Sequence, residues 1–431
     1  MEERRRHIIL WKTARPITMA VGKLLFNYSA PVCREEGPFL VMSNHNADLD
    51  PVFVAFSFRE PLYFVASEHI MRQGIVSDFL RWSTHIITRQ KGGSAASTVR
   101  GIVRELQSGN DVCLFPEGNR SWDGVTRELT PATGKLAKMT GAKLITYRTE
   151  GLFFSNPRWA GGSIRRGKSK GNIVGVYEPE YLKSLSSKEV QEIIQRDLYE
   201  NAYERQRTER TKFQGRNLAE HLETLLFICP HCKSMHHLVS SGDYFTCTEC
   251  GTKLRYTPEG FFEGENMIFD TVLDWKIWQK EKIRELCKLP DEEPVVPVPI
   301  FNDSEMDLYS VSTAQKAEYV ATGNLVLYHD RLILPGGASL PVGKITGMAL
   351  RGAQDLLRKF DHLHSLGVRQ FGIFLDDISV ANGVRDCERH ALLLQKGYIV
   401  PVRHEADVLA VVLAGVHEAL FLRNGTHLAL G

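Results

Sequence analysis

The chain has 431 residues, 43% of them hydrophobic and 24% charged, with a formal net charge of +2. That length calls for two or three domains, and the near-neutral balance argues against a dedicated nucleic-acid binder. Eight cysteines are too few for a secreted disulfide framework in so long a chain.

Residues 1–35 interleave Ile8, Ile9, Leu10, Trp11, Ile17, Met19, Val21, Leu24, Leu25 and Phe26 with basic side chains; between Met1 and Lys23 six Arg or Lys oppose two Glu. Such a segment either covers the domain that follows or lies in the headgroup layer of a membrane with anionic lipids. Lys12 and Arg15 break the apolar run after Arg4, Arg5 and Arg6, which is unlike a signal peptide. No stretch of about 18 apolar residues is available to span a bilayer.

From Pro38 the chain alternates. Residues 39–42, 63–66, 85–88, 112–115 and 144–147 predict strands, and 51–58, 74–82, 94–107 and 131–140 predict helices. This alternation predicts an α/β domain, a mostly parallel sheet covered by helices, over residues 36–185. His45 follows the first strand, Arg89 the third and 115–118 the fourth, so these groups converge on one rim. In Ser43-Asn-His-Asn-Ala-Asp-Leu-Asp-Pro51, Asp50 either caps the next helix, with Pro51 at its first position, or turns back to the His45 imidazole. In the second case the carboxylate fixes the tautomer and leaves the other ring nitrogen free to take a proton from a hydroxyl.

An Asn-His-x4-Asp box at residues 44–50, followed by Phe115-Pro-Glu-Gly-Asn-Arg-Ser121, resembles the glycerolipid acyltransferase family, including its 1-acylglycerol-3-phosphate acyltransferases. The resemblance covers the chain to about residue 180. It implies an O-acyltransferase that moves a fatty acyl group from acyl-CoA or acyl-ACP to the free hydroxyl of a lysophospholipid. The expected acceptor is 1-acylglycerol-3-phosphate, with glycerol 3-phosphate or another lysolipid as the alternative, and a non-catalytic lipid-binding adaptor as a further one. His45 matches the family's base and Asp50 its partner. Arg89, in Ile86-Ile-Thr-Arg, and Arg120 match its arginines, suited to phosphate by their planar fork. Glu117 and Gly118 match its acceptor-binding pair, Glu117 accepting from the glycerol or from Arg120. Gly134, Leu136 and Ala137 keep the helix that follows; the next strand departs from the pattern, lacking its proline and adding Arg148. For such an enzyme the N-terminal segment is expected to dock as amphipathic helices on the cytoplasmic face of a membrane, peripherally. The basic stretch 157–170 is either a solvated hairpin or a contact for anionic groups.

Residues 186–226 predict an amphipathic helical linker. Cys229-Pro-His-Cys232 and Cys247-Thr-Glu-Cys250, fourteen residues apart, resemble a zinc ribbon over 227–256. Four thiolates suit a closed structural zinc site, with a redox pair as the alternative. After an acidic, proline-rich stretch, 295–431 predicts a mainly-β module closed by a helix at 406–421. It is loosely similar to a pleckstrin-homology fold or is another interaction domain, with a hairpin at His329-Asp330.

Overall fold

A computed structural model describes residues 2–67, 82–89, 96–235, 237–286, 297–311, 318–341, 345–351, 369–375 and 391–396. The helix expected at 406–421 and all but the last residue of that expected at 74–82 lie outside these residues. The chain divides into two units: 1–158, 163–216 and 258–260 make the first, and the remaining described residues make the second.

The first unit runs α1 (Glu2–Phe26), β1 (Tyr28–Ser29), β2 (Phe39–Ser43), α2 (Asp50–Ala55), β3 (Leu62–Ser67), β4 (Ile86–Arg89), α3 (Ala96–Gln107), β5 (Asp111–Leu114), α4 (Ala132–Thr140), β6 (Lys143–Glu150), α5 (Leu152–Ser155), β7 (Ser169–Tyr177), α6 (Pro179–Ser184), α7 (Ser187–Leu198) and α8 (Ala202–Glu209). Its seven-stranded sheet has the order β1-β7-β6-β2-β5-β3-β4. All pairings are parallel except β6 with β7. Parallel strands are buried on both faces, which is why β2 reads as an unbroken apolar run. Side chains alternate between the two cores. Leu40, Met42, Val112 and Leu144 meet Ile102, Leu106, Ala137, Val190, Ile194 and Leu198 on one face. On the other, Val41, Cys113 and Ile145 meet Val54, Phe58 and Leu62.

Two expectations about the borders of this unit are corrected. The first part of the expected linker 186–226 belongs to the domain: Val190, Ile194 and Leu198, one stripe of α7, are in the sheet's own core. The helical pattern also breaks at residues 199–201, where Thr126 donates to the Glu200 carbonyl at 2.9 Å. Asn201 then caps α8, its side-chain oxygen accepting from the amides of Tyr203 and Glu204. Gly134 lets α7 come close, since a Cβ there would lie 2.2 Å from the Ser187 carbonyl oxygen.

The N-terminal segment is one helix, α1, with its inner face fixed to the domain. Buried His7 bonds the Tyr63 hydroxyl at 3.1 Å, Trp11 donates to the Phe58 carbonyl at 3.3 Å, and Arg15 donates to that of Phe56. Ile9, Ile17, Val21, Leu24 and Leu25 face outward and are exposed. No helix among the described residues is long and apolar enough to cross a membrane.

In the second unit β8 (Leu238–Ser241), β9 (Tyr244–Cys247), β10 (Lys253–Tyr256) and β11 (Phe262–Glu263) form an antiparallel sheet. This module is larger than the expected 227–256, because α9 (Val272–Leu286) packs on it. Trp275 lies against Phe245 and Phe262 and donates to the Ile228 carbonyl at 2.9 Å. Gln279 accepts from the amides of Phe227 and Ile228. Seven further strands, from Phe301–Val311 to Ala391–Lys396, make an antiparallel sheet. It includes the hairpin expected at His329-Asp330, where Leu327 pairs with Leu332.

Candidate active site

His45 lies in the loop between β2 and α2. Asp50 is already the first helical residue and makes no capping bond to the amides that follow it. Its carboxylate turns back instead. Oδ2 accepts from His45 Nδ1 at 2.8 Å, from the Asn46 amide at 2.5 Å and from the Ala47 amide at 2.8 Å. A carboxylate oxygen that gathers two N–H donors is an acceptor for the ring as well, so Nδ1 carries the imidazole proton and Nε2 is left with its lone pair. The ring stacks on Phe115, with centroids 4.5 Å apart. Asp50 is fully buried and the His45 side chain is 20% exposed. The imidazole is thus held from two sides and open on a third.

The loop is sewn to its neighbours through main-chain groups. Asn44 pairs with Thr149 at the end of β6, accepting from its amide at 2.8 Å and donating to its carbonyl at 3.0 Å. Asn46 donates to the same carbonyl at 3.3 Å. Glu117 joins the two boxes: Oε1 accepts from the His45 amide at 2.8 Å and Oε2 from the Arg127 amide at 3.1 Å. The Ser121 amide in turn donates to the His45 carbonyl at 2.8 Å. Burial pushes the Glu117 carboxyl up to about 8, against the pull of those two amides and of Arg127. Glu117 therefore braces backbone, and of the two partners expected for it, the acceptor's glycerol or Arg120, it makes no bond to Arg120. Gly118 closes the turn at φ 72° with its amide on the Phe115 carbonyl, 3.0 Å away. A Cβ at that position would sit 3.5 Å from Arg89 Nη1, which places the exposed Arg89 guanidinium beside the turn.

Arg120 pairs with Asp48 through Nη1, which also lies 3.4 Å from Asn156 Oδ1. Arg158 donates to the Arg120 carbonyl at 3.1 Å and its guanidinium covers the Trp122 ring at 4.2 Å. Burial, then the charges of Arg120 and Arg127, pull Arg158 down to about 9. His45, Asp50, Glu117, Gly118 and Arg120 follow the C-terminal ends of β2 and β5, and Arg89 is the last residue of β4; the mutual order of these strands in the sheet puts those ends on one rim. Sequence reasoning missed the parts played by Asn44, Asn46, Asn156 and Arg158. The density of side-chain amides in residues 44–46 was the available signal, since such groups satisfy loop backbone. Most of the basic stretch 157–170 is used internally: Arg165 is buried, Arg166 bonds the Leu24 carbonyl, and Lys170 pairs with Glu150 at 3.0 Å.

In the second unit the sulfurs of Cys229, Cys232, Cys247 and Cys250 all lie within 4.8 Å of one another. Cys229 is 3.8 Å from Cys250, and Cys232 is 3.7 Å from Cys247. A tetrahedral ion with metal–sulfur bonds of about 2.3 Å sets its ligands about 3.8 Å apart, so the cluster fits zinc. The two knuckles repeat one backbone pattern. Lys233 and Gly251, both at positive φ, donate to the carbonyls of Cys229 and Cys247, whose own amides donate to Ser234 and Thr252. His231 adds no ligand to the four sulfurs.

An acyltransferase family model matches residues 27–149. Over 121 residues the chain is 27% identical to the 1-acyl-sn-glycerol-3-phosphate acyltransferase of Borreliella burgdorferi, a match covering 27% of this chain and 48% of that protein. The chain thus spans about half the length of this curated relative. Among solved structures it is similar to the 1-acyl-sn-glycerophosphate acyltransferase PlsC of Thermotoga maritima, with 19% identity and a TM-score of 0.33 over 43% of this chain and 80% of that one. Both boxes of the rim fall inside residues 27–149, the segment that the acyltransferase family model matches.

Proposed function

We propose that this domain transfers a fatty acyl group from a thioester, acyl-CoA or acyl-ACP, to the free hydroxyl of a lysophospholipid, 1-acylglycerol-3-phosphate fitting best. The observation that carries the reading is the His45 imidazole, held at Nδ1 by Asp50 at 2.8 Å with Nε2 left available. In this reading the acceptor hydroxyl attacks the thioester carbonyl as Nε2 takes its proton. The tetrahedral intermediate then collapses and expels the thiolate, which recovers the proton from the imidazolium. A base so placed contributes on the order of 10²–10⁴ in rate. Asp50 supports the cationic ring while it carries the proton. Arg89 and Arg120 hold the acceptor phosphate, and Gly118 leaves room for it beside Arg89. Cys33 and Cys113 are not suited to act as nucleophiles, since both are buried and burial pushes both thiols up.

The same proposal gives α1 a place. Its outward Ile17, Val21, Leu24 and Leu25, with Lys23 among them, suit the cytoplasmic surface of a membrane with anionic lipids, where the acceptor resides. Cys229, Cys232, Cys247 and Cys250 would hold a structural zinc ion, which supplies folding energy and no open coordination position. Purified protein assayed for thiol release with both carriers and a panel of acceptors tests the activity. His45→Ala should fold, by an unchanged thermal transition, and lose transfer. Full activity in the folded variant would overturn the mechanism, and no acyl transfer to any phosphate-bearing acceptor by the unaltered protein would overturn the function.

A further inference from the structure

The rim holds more positive charge than the proposed reaction uses, and the Asp48 carboxylate is set among it. Arg120 is nine-tenths buried, its side chain 10% exposed. Its Nε is buried with no hydrogen-bond partner among the described residues, so the guanidinium has donor capacity that none of them fills. Arg158 lies against the Arg120 backbone, and Arg89 beside Gly118 in the same box. The carboxylate that meets Arg120 belongs to Asp48, whose side chain is 47% exposed. The two partners differ in what they lose on separation. Asp48 can turn into water, where a carboxylate is well solvated, and its backbone stays in place through the Asp48 amide on Asn156 Oδ1 at 3.3 Å. Arg120 cannot follow, and a buried guanidinium without an anion is costly.

Resting on the function proposed above, we infer that Asp48 is a resident anion on Arg120 which the acceptor's phosphate must displace, making Asp48 a determinant of which acceptors the site takes. Exchanging one anion for another keeps Arg120 paired throughout, so displacement costs only the return of the half-exposed Asp48 carboxylate to water. A phosphate monoester presents several oxygens and close to two charges above its second pKa of about 6, enough to engage two guanidinium groups at once. It displaces Asp48. A zwitterionic phosphodiester headgroup carries one negative charge beside a cation and displaces it poorly. Asp48 lies within the loop that carries His45, and Ser121, next to Arg120, bonds the His45 carbonyl. An anion seated on Arg120 therefore lies against the loop that presents the base.

The test uses the full chain and Asp48→Asn, which keeps the volume and removes the charge. Calorimetric binding of inorganic phosphate and of glycerol 3-phosphate reads the anion site without lipid or chemistry. KM for 1-acylglycerol-3-phosphate against its phosphocholine counterpart reads it with lipid. The expected result is a 3- to 10-fold tighter Kd for both soluble anions, a matching fall in KM for the monoester, and a narrower preference over the phosphocholine acceptor. In an Arg120→Lys background the Asp48 effect on Kd should shrink to less than twofold. Unchanged or weaker anion binding by folded Asp48→Asn would overturn the inference, as would a full effect persisting without Arg120. If the binding arms respond while no variant transfers acyl groups, the function proposed above fails and the inference stands. If transfer is robust and the binding arms are flat, the reverse holds.

Discussion

Asp50→Asn separates orientation from charge in the rim. The side chain is fully buried, and all three of its hydrogen bonds converge on Oδ2. Oδ1 is buried without a hydrogen-bond partner. An asparagine can keep the three bonds with its single oxygen, but its NH₂ group then takes the Oδ1 position and buries two donors. That costs about 1–3 kcal/mol of stability. In a unit of this size each kcal/mol moves Tm by about 2–4 °C, so a drop of roughly 2–12 °C is expected. The larger effect is on chemistry. With the carboxylate charge gone, an imidazolium whose centre lies about 5 Å away loses about 3 kcal/mol at an effective dielectric of about 20. Asparagine can also turn its NH₂ to Nδ1 and favour the tautomer that blocks Nε2. Together these predict a fall in kcat of about 10²–10⁴, comparable with the same change in serine proteases. Thiol release from acyl-CoA with saturating 1-acylglycerol-3-phosphate measures it, with circular dichroism to confirm folding. A kcat within threefold of the unaltered protein would refute the reasoning and leave Asp50 a loop brace.

Three other outcomes follow from the same structure. Gly134→Ala puts a Cβ 2.2 Å from the Ser187 carbonyl oxygen and 2.7 Å from the Gln191 amide nitrogen, both backbone; overpacking of this kind costs about 1–3 kcal/mol, so a lowered Tm is expected and an unchanged one would contradict the close seating of α7. Glu117 has its carboxyl raised by burial from 4.5 to about 8; the folded state then holds a proton that the unfolded chain has released, so stability falls as pH rises through that window. Asp111, raised by burial to about 6, acts the same way at lower pH. Glu117→Gln should therefore flatten Tm between pH 6 and 8, and parallel slopes for both proteins would exclude the assignment. The purified chain should carry one zinc ion per molecule by elemental analysis. Chelation or Cys229→Ser should melt the module around Trp275, lowering near-ultraviolet circular dichroism; a metal-free protein with an unaltered melt would refute the site.

Much of this architecture was legible because its strands are buried on both faces. Residues 39–42 and 112–115 are apolar without interruption, and the intervening helices carry their own stop signals, such as Gly109 beyond α3 and Gly141 beyond α4. The spacing of His45 and Asp50, and of Cys229, Cys232, Cys247 and Cys250, could be read because each set works over a few residues. What escaped depends on tertiary packing. Ser187–Leu198 is visibly amphipathic, yet only the fold decides that Val190, Ile194 and Leu198 cover their own sheet rather than a linker's solvent face. Likewise the apolar positions of Val272–Leu286 lie among charges, and their role emerges only where Trp275 meets Phe245 and Phe262. Asp50 followed by Pro51 carries the residues of a helix cap, but the chain enters the helix one residue earlier, at Leu49. The carboxylate is thereby placed inside the first turn, from which it reaches back to the loop.

The bonding pattern also divides the rim by mobility. Asn44, Asp50 and Glu117 each direct a side-chain oxygen at backbone amides, those of Thr149, Asn46, Ala47, His45 and Arg127. The loop that carries the imidazole is therefore fixed by groups that exist before any acceptor arrives, and its geometry does not depend on the substrate. Arg89 is exposed and Arg120 holds an exposed partner, so in the proposed reaction both guanidinium groups would reach the acceptor by exchanging contacts. A rigid base and an adjustable clamp respond differently to substitution. Changes at Asn44 should displace Nε2 for every acceptor alike and appear in kcat, whereas changes at Arg89 should appear in KM and scale with the charge of the headgroup. Measuring Asn44→Ala and Arg89→Lys against a monoester and a zwitterionic acceptor distinguishes the two classes. Equal loss of kcat across acceptors in Arg89→Lys would show that the clamp, too, belongs to the fixed part of the site.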